Sequence, residues 1–116
     1  MENELIPLVA ARFKALSDSN RLAILSQLKD GECTVSELAE ATSRPQPNVS
    51  QHLASLSRAG LVEARRDGTR MYYRIADVYI LRICDAVCDS LVAPGGVVRK
   101  RHGAALRARR RAGGRR

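Results

Sequence analysis

Hydrophobic residues recur at helical spacing in two stretches near the start of the chain. Residues 3–16 and 18–29 each place Leu, Ile, Val, Ala or Phe three or four positions apart, which predicts one amphipathic helix in each range. Pro7 lies in the first turns of the first range, where its fixed φ suits the start of a helix. Ser17 or Asp18 can cap the second helix, which we expect to end at the glycine of position 31.

A capping pattern and a proline-rich turn define the next two predicted helices. Residues 34–37 (TVSE) place Thr and Glu three positions apart, as in a capping box, and predict a helix that runs to about Thr42. Two prolines keep residues 43–47 from being helical. Pro47 suits the first position of a following helix, with Gln46 at or beside its cap.

Alternation replaces helical spacing in the next part of the chain. The runs 61–66 and 71–75 alternate around Asp67-Gly68, a dipeptide typical of tight turns, and so predict a β-hairpin. A last helix is expected over about residues 77–91. The order α-α-α-α-β-β-α predicts a mainly α fold with a small β-hairpin, which is a winged helix-turn-helix.

The basic charge of the chain is concentrated at its end. The sequence has 20 Lys and Arg against 12 Asp and Glu, but residues 99–116 contain nine of the basic residues and no acid. Residues 1–98 therefore have 11 basic and 12 acidic side chains. We assign residues 1–93 to one winged helix-turn-helix domain, and because a helix of such a motif can enter a duplex groove and such proteins often bind as dimers, we expect this domain to bind DNA and to dimerise. Residues 94–116 are expected to be a basic, disordered tail that could add salt-sensitive affinity for DNA.

Composition indicates the setting in which the protein works. Aromatic residues make up only 3% of the chain, so we expect a small aliphatic core that a second subunit completes. The sequence has no long apolar run and no signal peptide, which indicates neither membrane insertion nor export. Three cysteines are an odd number, which argues against a disulfide framework and favours a cytoplasmic location.

Polar side chains crowd the start of the helix that follows the proline-rich turn. Gln and Asn can pair bidentately with adenine, and Ser can contact a base or a phosphate. Arginines flank the predicted hairpin turn, where they suit the phosphate backbone or the minor groove. The alternative is that these polar residues are ordinary caps or solvated positions, and His52 could simply pack against the turn. The residues predicted to contact DNA are Arg44, Gln46, Asn48, Ser50, Gln51, His52 and Arg70.

Five segments together carry a resemblance to a known family. They are residues 15–25 (ALSDSNRLAIL), 35–39 (VSELA), 46–53 (QPNVSQHL), 56–62 (LSRAGLV) and 66–75 (RDGTRMYYRI). In combination they resemble the ArsR/SmtB family of bacterial metal- and stress-sensing repressors, over roughly residues 8–91. The resemblance implies a homodimer that binds an operator, represses nearby genes and releases the DNA when an inducer binds.

The three cysteines are the candidate sensing residues. Cys84 and Cys88 are four residues apart on the predicted last helix, so their thiols share one face. Cys33 lies just before the third helix, where we expect the helix dipole to favour its thiolate. Three thiolates would suit a soft ion such as arsenite, antimonite, cadmium, lead or copper(I). The alternatives are sensing of an oxidant or a reactive sulfur species, and an apolar dimer contact that involves Cys84 and Cys88.

The chain departs from both metal sites that are familiar in the family it resembles. Zinc-sensing members carry His and carboxylate ligands on the last helix. This chain keeps the carboxylate of Asp77 but has Tyr79 and Ser90 where His would be expected. Ala93 stands in place of a second carboxylate. The Cys-x-Cys pattern of arsenic sensors at the third helix is also absent, because Thr34 and Ser36 occupy that region. The cysteine pair Cys84 and Cys88 on the last helix is therefore the distinctive feature of this chain.

These features predict a transcriptional repressor rather than an enzyme. We expect it to bind a palindromic DNA operator, to need no cofactor, and to release DNA when a soft metal or metalloid engages Cys84, Cys88 and Cys33. A redox- or sulfur-sensing repressor and a non-sensing architectural DNA-binding protein remain alternatives. A thiol enzyme that pairs a cysteine with His52 is disfavoured, because His52 lies on the helix predicted to contact DNA.

Overall fold

The computed structural model describes residues 1–98, which form five α-helices and one three-stranded antiparallel sheet. The predicted mainly α, winged helix-turn-helix fold is confirmed. The predicted tail lies, from residue 99 onward, outside the described residues. The helices are α1 (Ile6–Leu16), α2 (Ser19–Leu28), α3 (Val35–Thr42), α4 (Gln46–Arg58) and α5 (Val78–Val92). The strands are β1 (Cys33–Thr34), β2 (Val62–Asp67) and β3 (Arg70–Ile75).

Side-chain caps begin α2 and α3, as the sequence predicts. The Asp18 carboxylate accepts hydrogen bonds from the backbone N–H groups of Asn20 and Arg21, at 2.8 and 3.2 Å. At the start of α3, the Thr34 hydroxyl accepts from the Glu37 backbone and the Glu37 carboxylate accepts from the Thr34 backbone. These bonds satisfy N–H groups that the first turn of a helix otherwise leaves without partners.

The turn before α4 differs by one residue from the prediction. Pro45 is the N-cap and Gln46 is the first helical residue, so Pro47 occupies the second position rather than the first. Ser43 ends α3 in the left-handed conformation, with φ of 56°. The chain therefore reverses within three residues and brings α3 and α4 together as a helix-turn-helix.

The core of the unit formed by residues 1–77 lies where α2, α3 and α4 pack on one another. Every buried side chain in this unit is aliphatic, which agrees with the low aromatic content of the sequence. The buried residues are Leu16, Ile24, Leu25, Leu28, Leu38, Val49, Leu53, Leu56, Leu61 and Val62. The helix-turn-helix therefore shares one hydrophobic core with α2.

The sheet contains the predicted hairpin and one strand that was not predicted. Strands β2 and β3 pair across a turn in which Gly68 has φ of 64°, and we call residues 62–75 the wing. The short strand β1 pairs with the other edge of β3, with Cys33 opposite Tyr73 and Thr34 opposite Tyr72. The middle of β3 in the wing is therefore paired with the segment that begins α3.

The second compact unit begins at Val78 and contains α5. Beyond the helix, the Gly96 N–H donates to the Ala93 carbonyl and the Val98 N–H donates to the Leu91 carbonyl. A Cβ added at Gly96 would lie 2.3 Å from that Leu91 oxygen, so this turn requires glycine. Residues 94–98, which we predicted to begin the tail, therefore fold back on the end of α5. No helix within residues 1–98 is long and apolar enough to cross a membrane.

Candidate nucleic-acid interface and cysteine sites

Helix α4 separates a buried apolar face from an exposed polar start. Its buried residues are Val49, Leu53 and Leu56. Three of the side chains predicted to contact DNA, Gln46, Ser50 and Gln51, are exposed in its first turns. A duplex major groove admits one helix, and polar side chains at the N-terminus of such a helix can reach base edges. The buried face anchors α4 while its start stays available to a ligand.

Gln46 and Asn48 are more constrained than their neighbours on α4. The Gln46 side-chain amide donates to the Ser36 hydroxyl at 3.2 Å, which links the first turn of α4 to α3. Asn48 is half-buried, and its Oδ1 is buried without a hydrogen-bond partner among the described residues. Bidentate pairing with adenine uses the amide oxygen and nitrogen together, so Asn48 would have to turn outward to make it.

Arg44 is engaged inside the fold. Its Nε donates to the side-chain oxygen of Asn20, and its Nη1 donates to the Thr42 carbonyl at 3.0 Å. The first bond joins the turn before α4 to the first turn of α2, and the second joins it to the end of α3. The DNA contact predicted for this half-buried arginine stays a prediction, which would use the part of the guanidinium that these two bonds leave available.

His52 lies beside Asp18, the cap of α2, and the DNA contact predicted for it stays a prediction. Its Nε2 lies 4.0 Å from Asp18 Oδ1, and its side chain is only 17% exposed. The pKa of Asp18 is lowered, chiefly by the hydrogen bond from the Arg21 backbone, with smaller contributions from the Asn20 backbone and from His52. His52 therefore brings α4 close to the start of α2.

The arginines around the wing turn have different surroundings. Arg65 donates two hydrogen bonds to the Glu32 carboxylate, at 2.9 and 3.1 Å. Arg66 and Arg70 are exposed and form no hydrogen bond or ion pair with other side chains in residues 1–98. Arg70 is near enough to Glu37 to contribute to the lowered pKa of that carboxyl, after the hydrogen bonds to Thr34. Arg66 is thus exposed like Arg70, although the family resemblance favours Arg70 among the arginines that flank the turn.

Cys33 does not have the environment that the sequence predicts. Burial raises its pKa above the ordinary value of 9.0, and the charges of Glu37 and Asp30 raise it further. The expected lowering of its pKa is therefore wrong, because desolvation and two nearby carboxylates raise the pKa instead. The Cys33 thiol is half-buried in β1, with its Sγ 3.7 Å from the Gly31 carbonyl oxygen.

Cys84 and Cys88 are free thiols one turn apart on α5. Cys88 is exposed and Cys84 is half-buried. Burial raises the pKa of Cys84, and Cys88 and Asp85 add to the rise. Among residues 1–98, no group of three or more His, Cys, Asp or Glu side chains is arranged to hold a metal ion. The donor set that α5 offers to a soft ion is therefore this pair of thiols.

Asp77, which remains from the zinc pattern of the last helix, is engaged by an arginine. Arg12 Nη1 lies 2.6 Å from Asp77 Oδ2, and this ion pair joins α1 to the residue before α5. With Tyr79 and Ser90 in place of histidines, the described residues do not fit a zinc site of nitrogen and carboxylate ligands.

Comparison with known proteins decides the family. Residues 18–64 match the sequence model of the bacterial regulatory protein, arsR family. Over 100 residues the chain is 40% identical to the HTH-type transcriptional regulator KmtR of Mycobacterium tuberculosis, which covers 85% of this chain and 77% of KmtR. The chain belongs to the ArsR family.

Two further relatives agree with this ArsR/SmtB membership. The chain is 42% identical over 77 residues to the probable mercury resistance operon repressor of Streptomyces lividans, which covers 62% of each protein. It is 41% identical to the homodimeric winged helix-turn-helix DNA-binding domain of Mb0332 from Mycobacterium bovis, with a TM-score of 0.66. That alignment covers 75% of this chain and 83% of the Mb0332 structure. The ArsR-family protein is a DNA-binding transcriptional repressor, and its relatives are regulators rather than enzymes.

Proposed function

We propose that this ArsR-family protein is a homodimeric repressor that binds a palindromic operator through α4 and the wing. It releases the operator when a thiol-reactive inducer engages Cys84 and Cys88, and it acts in the cytoplasm without a cofactor. The observation that carries the proposal is the exposed polar start of α4, where Gln46, Ser50 and Gln51 face solvent above a fully buried apolar face.

Exposed apolar side chains support a second subunit. On α1, Ile6, Leu8 and Phe13 are between 47% and 65% exposed, although the same helix also buries Leu16. The α5 unit exposes apolar residues as well, including Val87 at 50%. Exposed apolar surface on each unit is typical of an interaction site, and the homodimeric Mb0332 domain is similar to this chain. A two-fold dimer would present two copies of α4 to half-sites one helical turn apart.

The pair of thiols on α5 supports a soft inducer such as arsenite, antimonite or cadmium. Thiolates select soft ions, and the similar Streptomyces lividans protein is named for mercury resistance. Because an ion must displace the thiol protons, the raised pKa of Cys84 predicts weaker uptake at lower pH. Cys33 is the third candidate sensing residue. An inducer would favour a dimer whose two α4 helices no longer match the half-sites.

Sensing of an oxidant or a reactive sulfur species through the same cysteines is the second candidate function. The exposure of Cys88 favours it, because an accessible thiol is the one that oxidants reach first. The neighbouring half-buried thiol of Cys84 could then resolve an oxidised Cys88 only after the helix distorts, since one helical turn holds their Cβ atoms too far apart for a disulfide.

The test is release of a labelled palindromic duplex, measured by fluorescence anisotropy. We expect the wild-type protein to prefer the palindrome over a scrambled duplex and to release it on addition of arsenite, antimonite or cadmium. Cys84→Ser with Cys88→Ser should bind as tightly but should not respond, and Ser90→Ala serves as a matched control on α5. Peroxide and polysulfide, added in parallel, separate metal sensing from redox and sulfur sensing.

Two results would contradict the proposal. An intact inducer response in the double cysteine variant would remove the sensing role of Cys84 and Cys88, and Cys33→Ser would then test the remaining thiol. Loss of all binding when residues 99–116 are deleted would favour the architectural alternative, in which the tail supplies the affinity. A shortened protein that still prefers the palindrome would support the repressor.

A further inference from the structure

We propose that Arg65 is a positioning residue for DNA binding, which holds the wing against the segment that begins α3 and does not contact DNA itself. The inference rests on the proposed function, because it assumes that the wing approaches the duplex together with α4. It assigns different roles to arginines that the sequence places side by side in the wing.

Three contacts surround the guanidinium of Arg65. Its Nε and Nη2 donate to the two oxygens of Glu32, at 3.1 and 2.9 Å, in a bidentate pair. Its Cζ lies 4.8 Å from the centre of the Tyr72 ring, and its Nη1 lies 3.8 Å from Asp67 Oδ2. Bidentate arginine–carboxylate pairs combine strength with a defined geometry, and stacking on an aromatic ring restricts the guanidinium further.

These contacts leave Arg65 poorly suited to bind a phosphate. Two carboxylates compensate its charge, and one edge of its guanidinium fork is already occupied. A phosphate would have to displace Glu32 to obtain the same bidentate geometry. Arg66 and Arg70, by contrast, form no ion pair within the described chain and lie directly beside the turn of the wing.

The position of Glu32 explains what the pair accomplishes. Glu32 immediately precedes β1, and the next two residues pair with β3, where Thr34 also caps α3. Arg65 therefore connects the wing to the segment that begins α3, which in turn packs on α4. By fixing the orientation of the wing relative to this segment, the Arg65–Glu32 pair keeps Arg66 and Arg70 in place relative to the start of α4. A wing that is already held in its binding orientation loses less conformational entropy when the complex with DNA forms.

The decisive experiment compares Glu32→Ala with Glu63→Ala in operator binding by the full chain. Both changes remove one exposed negative charge from an arginine partner in the same sheet region. Glu63 pairs with Arg74 across the hairpin itself and does not join the wing to another element. Removal of an acid near DNA strengthens binding when only charge matters. We expect Glu63→Ala to bind as tightly as the wild type or more tightly.

For Glu32→Ala we expect weaker operator binding, with an affinity about three- to tenfold lower than that of the wild type. A change of this size lies within the range of interaction energies measured between residues in contact. The plot of log affinity against log salt should become shallower by about one for each wing phosphate contact that is lost. Arg65→Met should give the same loss, and the double variant should lose no more than either single one. Arg65→Lys, which keeps the charge but not the fork, should behave like Arg65→Met.

Several outcomes would overturn the inference. Glu32→Ala that binds as tightly as the wild type, with Arg65→Met alone weakened, would show that Arg65 contacts DNA directly. Restoration of wild-type affinity by Arg65→Lys would show that charge rather than position matters. Unchanged binding in all variants would also refute it. Thermal unfolding followed by circular dichroism confirms that each variant is folded. A wild-type protein without preference for the operator would instead count against the proposed function.

Discussion

Arg44 ties the turn before α4 to Asn20 in the first turn of α2, although 24 positions separate the two residues in the chain. A second bond from Arg44 to the Thr42 carbonyl holds the end of α3 in the same place. His52 approaches Asp18, two residues before Asn20. The start of α2 therefore contacts both the turn before α4, through Arg44, and α4 itself, through His52.

Arg44→Ala is expected to lower the free energy of unfolding by about 1–2 kcal/mol, because hydrogen bonds from a charged donor are lost in a half-buried place. Urea denaturation measures the change. Arg58→Ala is the control, since Arg58 is exposed on α4 and donates only to Ser55, so its change should stay within about 0.5 kcal/mol. A stable Arg44→Ala variant with a strong, salt-sensitive loss of DNA affinity would instead show a phosphate contact.

Acid should destabilise the protein through the helix caps. The pKa of Asp18 is lowered chiefly by the Arg21 backbone, and the pKa of Glu37 is lowered chiefly by the Thr34 backbone. Both carboxylates therefore contribute stability that is fully present above their ordinary pKa values of 3.8 and 4.5. This contribution is lost as the pH falls through the lowered values in the folded protein.

Urea midpoints measured between pH 6 and pH 3 check this dependence. The urea midpoint of Asp18→Asn should fall less between pH 6 and pH 3 than that of the wild type, because asparagine still caps α2 but does not titrate. An equally steep fall in both proteins would mean that other groups govern the loss of stability in acid.

Gln51→Ala should weaken specific operator binding by about 1–3 kcal/mol, the usual value of a good bidentate contact with a base. Its exposed position on α4 predicts a change of no more than about 0.5 kcal/mol in stability. Gln27→Ala, an exposed glutamine on α2, is the matched control. Fluorescence anisotropy with the operator and with a scrambled duplex separates sequence-specific from non-specific DNA binding. Equal weakening on both duplexes would argue against base contact.

Alkylation should report the raised pKa of Cys33 and Cys84. Because the thiolate is the nucleophile, burial that raises a thiol pKa leaves little of it reactive at neutral pH. In single-cysteine variants we expect the rate of reaction with iodoacetamide at Cys33 and at Cys84 to continue rising beyond pH 9. Mass spectrometry over a pH series gives the two profiles. A plateau below pH 8 at either position would contradict the expected environment.

Much of the fold could be predicted from short-range signals. The Asp18 cap, the Thr34–Glu37 capping box and the Asp67-Gly68 turn all lie where the sequence predicts them. The polar start of α4 was likewise predicted, since its residues follow directly from the proline-rich turn. Each of these signals acts within about four residues, so neighbouring positions are sufficient to identify it.

Contacts between distant residues could not be predicted in this way. Strand β1 has two residues, too few to show alternation, and it exists because β3 offers it a free edge. The bond between Arg65 and Glu32 joins residues 33 positions apart, and no local pattern distinguishes Arg65 from Arg66. The raised pKa of Cys33 likewise depends chiefly on its burial, which tertiary packing decides, although the two carboxylates that add to the rise, Asp30 and Glu37, lie within four residues of it.

Helix ends, turn positions and the polar face of α4 thus follow from the order of residues, because capping and periodicity are local. The bonds from Arg44 to Asn20 and from Arg65 to Glu32, and the burial of Cys33, follow only from folding, because solvent exclusion and charge proximity depend on which distant segments pack together. In this ArsR-family protein, these distant contacts decide which polar side chains of α4 and the wing stay exposed.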